Sequence, residues 1–237
     1  MFLTPLLERF LRSVIALIFI AAGIYTFGNA QLFDRLYIIT LVIVGIFVRK
    51  DINIILVMSL LALQRINEEI GYFLVDQPHV IFKIIIYALA ILGCYFLRKD
   101  SLKFLLYPLL IICIGAEIYW QQTSYNAPLI WWHLFLTMNA VLIRKLIWQR
   151  ELWTKRHYPH IARSLDIDYY IYELNLVYIC ANAAVIIEYM VRHILQLKDY
   201  LEVYYSFPYI SHSMTVLTLV LLLDQTIKNI NSRTIKA

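Results

Sequence analysis

The sequence predicts an all-α integral membrane protein of about eight transmembrane helices, and three observations carry that reading. Hydrophobic residues make up 62% of the 237 and charged residues only 16%, with a mean hydropathy of +0.70, far from the balance of a soluble domain. Apolar stretches long enough to cross ~30 Å of hydrocarbon as helix follow one another with short connections. Lysine and arginine gather at alternate connections, the pattern that orients helices in a bilayer. The alternation a membrane barrel needs is absent, so helices, whose backbone groups are satisfied within each segment, are the spanning element.

The spans fall at about 10–29, 33–48, 52–75, 79–97, 102–120, 128–147, 167–191 and 206–227. The first, VIALIFIAAGIYTFGNAQ, has the small residues of a cleavable signal end but runs straight into another span, so it is expected to stay as a signal-anchor. The second closes on FVRKD at 47–51, the fourth on FLRKD at 96–100 and the sixth on LIRKL at 142–146. That period of about 50 residues predicts an internal repeat. Related short motifs end the helices that rise between these turns: GIY at 23–25, EIGY at 69–72, EIY at 117–119 and, more loosely, EYM at 188–190. The whole chain, 1–237, therefore reads as one transmembrane domain of four same-orientation helical hairpins. They cover about 10–48, 52–97, 102–147 and 167–227, with a cytoplasmic basic insertion at 148–166.

The fifth span holds Pro108, and only six glycines and six prolines occur in all, which gives little support to the broken helices of alternating access. On the seventh span Asn175, Tyr178, Asn182 and Tyr189 share a helical stripe, as do Ser211, Thr215 and Thr218 on the eighth. Such stripes suit helix–helix contacts. Asp168 and Glu173 lie where a helix dipole favours acids.

Sixteen of the 21 lysines and arginines, from Arg9 and Arg12 through Arg49, Lys50, Arg98 and Lys99 to Lys228, Arg233 and Lys236, fall on one side of this map. The positive-inside rule then places both termini in the cytoplasm, and the expected location is a bacterial inner membrane or its equivalent. Trp120, Trp131 and Trp132 mark one interface, Trp148 and Trp153 the other. The net charge of +5 follows from this asymmetry and points to the lipid bilayer, with no nucleic acid among the expected partners.

Within the third span, Gln64, Arg65, Asn67, Glu68 and Glu69 interrupt an otherwise lipid-soluble run. Ionisable groups near mid-membrane cost roughly 2.5–3.5 kcal/mol each, so they face a bundle interior or water. Spacing of i, i+3 and i+4 lets Arg65 meet Glu68 or Glu69 on its own helix. Glu117 and Glu188 end equivalent helices of the repeat, and Lys83, His133 and His212 begin the helices that follow. These residues together predict an outward-facing polar vestibule of Arg65, Glu68, Glu69, Glu117, Glu188, His133 and His212, suited to a cation, to protons or to a partner's basic segment. The competing reading is a set of interhelical polar contacts that lock the hairpins together.

In the insertion QRELWTKRHYPHIARSLDI, the residues Arg150, Trp153, Lys155, Arg156, His157 and Arg163 form a candidate contact for a cytosolic partner or anionic headgroups. His157 and His160 lack the acidic or thiolate company a metal needs. Cys94, Cys113 and Cys180 lie far apart inside spans, which argues against disulfide or zinc and for small buried hydrophobes. HExxH, GxSxG, Walker-type and GxGxxG patterns are missing, so no catalytic residue, metal or cofactor is expected. The function this predicts is a non-catalytic scaffold, sensor or effector subunit that works with a protein partner or as a homo-oligomer. An ion channel or proton/cation-coupled carrier is the alternative, and an intramembrane enzyme the second.

Overall fold

The computed structural model describes residues 5–76, 80–125, 130–197 and 201–236. They form eight α-helices and, among the described residues, no strand: α1 Pro5–Thr26, α2 Ala30–Val48, α3 Ile52–Asp76, α4 Val80–Phe96, α5 Lys103–Thr123, α6 Ile130–His157, α7 Asp166–His193 and α8 Glu202–Lys236. Six of them, α1, α2, α5, α6, α7 and α8, are long and apolar enough to cross a membrane, compatible with an integral membrane protein. The apolar α4 has 17 residues. The 25-residue α3 is long enough, but Arg65, Glu68 and Glu69 load its second half with charge.

Local chemistry places the breaks. Gly28, at φ 82°, turns the chain in a conformation that a side chain would strain. Asn29 then caps α2 by accepting the N–H of Leu32 at 3.1 Å, and Asp51 caps α3 by accepting the N–H of Asn53 at 3.1 Å, each satisfying a donor the helix leaves free. Ser124 closes α5 in the left-handed region, at φ 51°.

The expected insertion at 148–166 divides in two. Residues 148–157 continue α6 without a break, and only 158–165 connect it to α7. The reason lies in the pattern of burial: Leu136, Ala140, Ile143, Ile147, Arg150 and Thr154 are all buried, a 4-3-4-3-4 spacing that keeps one face of a helix covered far past the end of the apolar run.

The chain divides into two compact units. The first holds α1, α2, α3 up to Ala62, α6 from Arg144, α7 up to Leu174 and α8 from Tyr209. Its core includes Val44, Val48, Ile54, Val57, Ile147, Ile171 and Leu219. Here α1 lies against α8 so closely that a Cβ on Gly23 would fall 2.6 Å from Val216. The second unit holds the rest of α3, α4, α5, the first part of α6, the end of α7 and the start of α8. Its core gathers Leu106, Cys113, Trp120, Leu134, Ala140, Ile179 and Ile186. Both units also expose large apolar side chains, among them Ile24, Ile46, Ile84 and Ile111, a surface compatible with a hydrocarbon environment.

Candidate functional site

In the first unit, a polar network joins the start of α3, the end of α6, the connection 158–165, α7 and α8. Its centre is Arg150, whose side chain is 1% exposed. The guanidinium donates from Nε to Asp168 Oδ1 at 2.8 Å, from Nη2 to Asp168 Oδ2, from Nη1 to Asn53 Oδ1 at 3.2 Å and from Nη2 to the carbonyl of Arg163 at 2.9 Å. This two-pronged grip on a carboxylate matches the planar fork of arginine. Asn53 in turn accepts the backbone N–H of Arg163 at 3.2 Å and donates to the carbonyl of Ile161 at 2.9 Å. Asp51 accepts from Arg163 Nη2 at 2.7 Å and from Asn229 Nδ2 at 2.6 Å. Burial pushes the Asp51 carboxyl up, but Arg163 and the bonds from Asn53 and Asn229 outweigh it and hold the group below its ordinary value.

The network leaves a different face of α6 uncovered. Trp153, Lys155, Arg156 and His157 are exposed, with the Trp153 and His157 rings 4.5 Å apart. Of the six residues expected as a partner or lipid contact, Arg150 and Arg163 are thus engaged by the protein itself, Arg163 keeping 45% of its side chain exposed. The other four remain open. Asp168, which the sequence marked only as an acid at a helix start, holds Arg150 and also accepts the N–H of Leu165 at 3.0 Å.

The residues of the expected vestibule fall into separate groups: Arg65 with Glu68 and Glu69, and Glu117, Glu188, His133 and His212 each with partners of its own. On α3, Arg65 lies 3.1 Å from Glu68 and 2.8 Å from Glu69, both within the second unit. Nearby, Asn67 donates to Asn139 at 2.9 Å and Asn139 donates to the carbonyl of Gln64 at 3.0 Å, which ties α3 to α6. Glu117 pairs with Lys83 at 2.6 Å and accepts from the Tyr87 hydroxyl at 3.4 Å. Glu188 accepts the N–H groups of Val203 at 2.7 Å and Tyr204 at 3.0 Å, where the dipole of α8 favours an anion. His133 is 3.3 Å from Asn182. His212 belongs to the first unit; its Nε2–H donates to the carbonyl of Gly23 at 2.7 Å, a contact that sets its tautomer.

A groove lies along α4 and α5 in the second unit, about 790 Å³ in volume, with the Lys83–Glu117 pair in its wall. Cys94 and Cys113 are buried, while Cys180 is exposed on α7. Among the described residues, no three His, Cys, Asp or Glu side chains gather closely enough to hold a metal ion. No protein family, curated protein or solved structure matches this chain.

Proposed function

We propose that this protein is a non-catalytic, multi-pass inner-membrane scaffold that recruits a partner carrying an acidic segment through the end of α6. In this reading the eight helices form four same-orientation hairpins, and both termini and the 158–165 connection face the cytoplasm. The observation that carries it is a contrast within eight residues of one helix. Arg150 is buried and bonded on all its nitrogens, whereas Trp153, Lys155, Arg156 and His157 are exposed. A docking surface on a braced helix loses little conformational freedom when a partner binds. Its positive charge steers an acidic partner and rejects a basic one. Glu69, Glu117 and Glu188 each bond to a different set of groups, Glu69 within α3, Glu117 between α5 and α4 and Glu188 between α7 and α8, which supports separate structural roles for them over a shared cation path.

A photo-crosslinking residue in place of the exposed Leu152 tests the proposal in native membranes. A discrete protein adduct is expected, and it should vanish in K155E/R156E while the folded yield stays the same. Lipid adducts alone, or a protein adduct indifferent to the charge reversal, would overturn it.

A further inference from the structure

The groove along α4 and α5 has no part in that docking surface, and its walls have an uneven chemistry. Lys83, near the start of α4, and Glu117 and Gln121, near the end of α5, lie toward one end, where Ile84 and Ile118 adjoin them, and Ile91 lines the groove farther along α4. From Lys83 to Ile91 the helix rises about 12 Å at ~1.5 Å per residue. Ile84, Ile91 and Ile118 are all more than half exposed, so the groove is open along its apolar side.

Two features of the polar end select a ligand. The first is charge balance. Lys83 and Glu117 form a neutral pair at 2.6 Å, so a ligand with only an anion would take Lys83 and strand Glu117 in a low-dielectric wall. A ligand bearing both signs replaces one ion pair with two. The second is Trp120, which lines the same groove, is 4% exposed, and has an indole N–H with no hydrogen-bond partner among the described residues. A buried donor without an acceptor is costly, so a ligand that brings an acceptor gains from it.

We infer that the α4–α5 groove binds a zwitterionic phospholipid with a primary ammonium headgroup. The phosphate engages Lys83 and takes the Trp120 N–H, the ammonium donates to Glu117, and an acyl chain lies along Ile84, Ile91 and Ile118. A primary ammonium has N–H groups for the Glu117 carboxylate, whereas a quaternary one has none. The inference rests on the membrane reading proposed above.

The test uses the full-length protein in detergent with an equimolar mixture of phosphatidylethanolamine, phosphatidylcholine and phosphatidylglycerol, with bound lipid counted by native mass spectrometry. One retained phosphatidylethanolamine is expected, preferred by about tenfold over each of the others. The double variant K83M/E117Q keeps the groove neutral and strands no charge, so it should fold and lose the preference. I91W fills the chain-binding part and should lower retention of all three lipids while leaving the ion pair in place. Equal retention of the three lipids by the native protein, or a preference that survives in K83M/E117Q, would overturn the inference. So would soluble glycerophosphoethanolamine displacing the lipid at equal concentration, since the site would then hold a free zwitterion. Alkaline extraction of native membranes separates the two failures: release of the chain sinks the membrane reading, whereas retention in the membrane without lipid preference sinks the groove alone.

Discussion

Arg150 shows how one residue can be decided by its partners. An arginine with its side chain 1% exposed is tolerable only because Asp168, Asn53 and a backbone carbonyl take up its donors. Arg150→Ala is therefore expected to destabilise the protein by about 3 kcal/mol, because it leaves Asp168, whose side chain is only 16% exposed, without its cation. The double change R150M/D168L should cost less than the single one, and chemical denaturation in detergent measures both. Asp51 supplies the matching pH dependence. Its folded-state pKa lies below the ordinary 3.8, so its contribution is complete above that value and disappears as pH falls through the lower one. Acid titration of thermal stability should show a steep loss below about pH 4, and Asp51→Asn should flatten that limb while lowering stability near pH 7.

At the scale of the element, glycines separate packing from propensity. A Cβ on Gly71 would fall 2.8 Å from the Trp132 ring and closer still to Phe135, whereas one on Gly115 meets nothing within 4 Å. Gly71→Ala should therefore lose about 1–3 kcal/mol through overpacking of α3 against α6. Gly115→Ala, in the middle of α5, should gain about 0.5–1 kcal/mol from helix propensity. Thermal shifts of the two variants in the same detergent should have opposite signs. The start of α8 depends on a neighbour instead, since Glu188 on α7 accepts two of its N–H groups. Glu188→Ala is expected to cost about 0.5–2 kcal/mol, the usual worth of a cap. Slowed hydrogen exchange at Val203 and Tyr204 in the native protein, lost in the variant, would locate the effect.

For the whole molecule, the separate partners of Glu69, Glu117 and Glu188 predict independence. The stability losses of the three Gln variants should sum, within about 0.5 kcal/mol, to the loss of the triple variant. A shared cation or proton site would make them couple, because neighbouring carboxylates raise one another's pKa. Threading has its own test. In a background with Cys94, Cys113 and Cys180 replaced, a cysteine at Ser124 should react with an impermeant reagent in intact cells and one at Ser164 should not. The reverse result would invert the proposed topology.

The sequence by itself determined the all-helical class and, approximately, where the eight helices lie. The third helix begins at Ile52 in both readings, and Arg65 meets both glutamates because helical spacing alone brings i, i+3 and i+4 together. Hydropathy and backbone geometry are local properties, so each segment announces itself. What the tertiary structure decided is everything that joins segments distant in the chain. Arg150 looked like its exposed neighbours Lys155 and Arg156, and only the approach of Asn53 and Asp168 turns it inward. For the same reason α6 outruns its apolar stretch: a burial stripe can be continued by an arginine and a threonine when another part of the protein covers them. Pairings such as Lys83 with Glu117 and Glu188 with the start of α8 were equally invisible, since a charge says that it needs a partner and not where in the chain that partner lies.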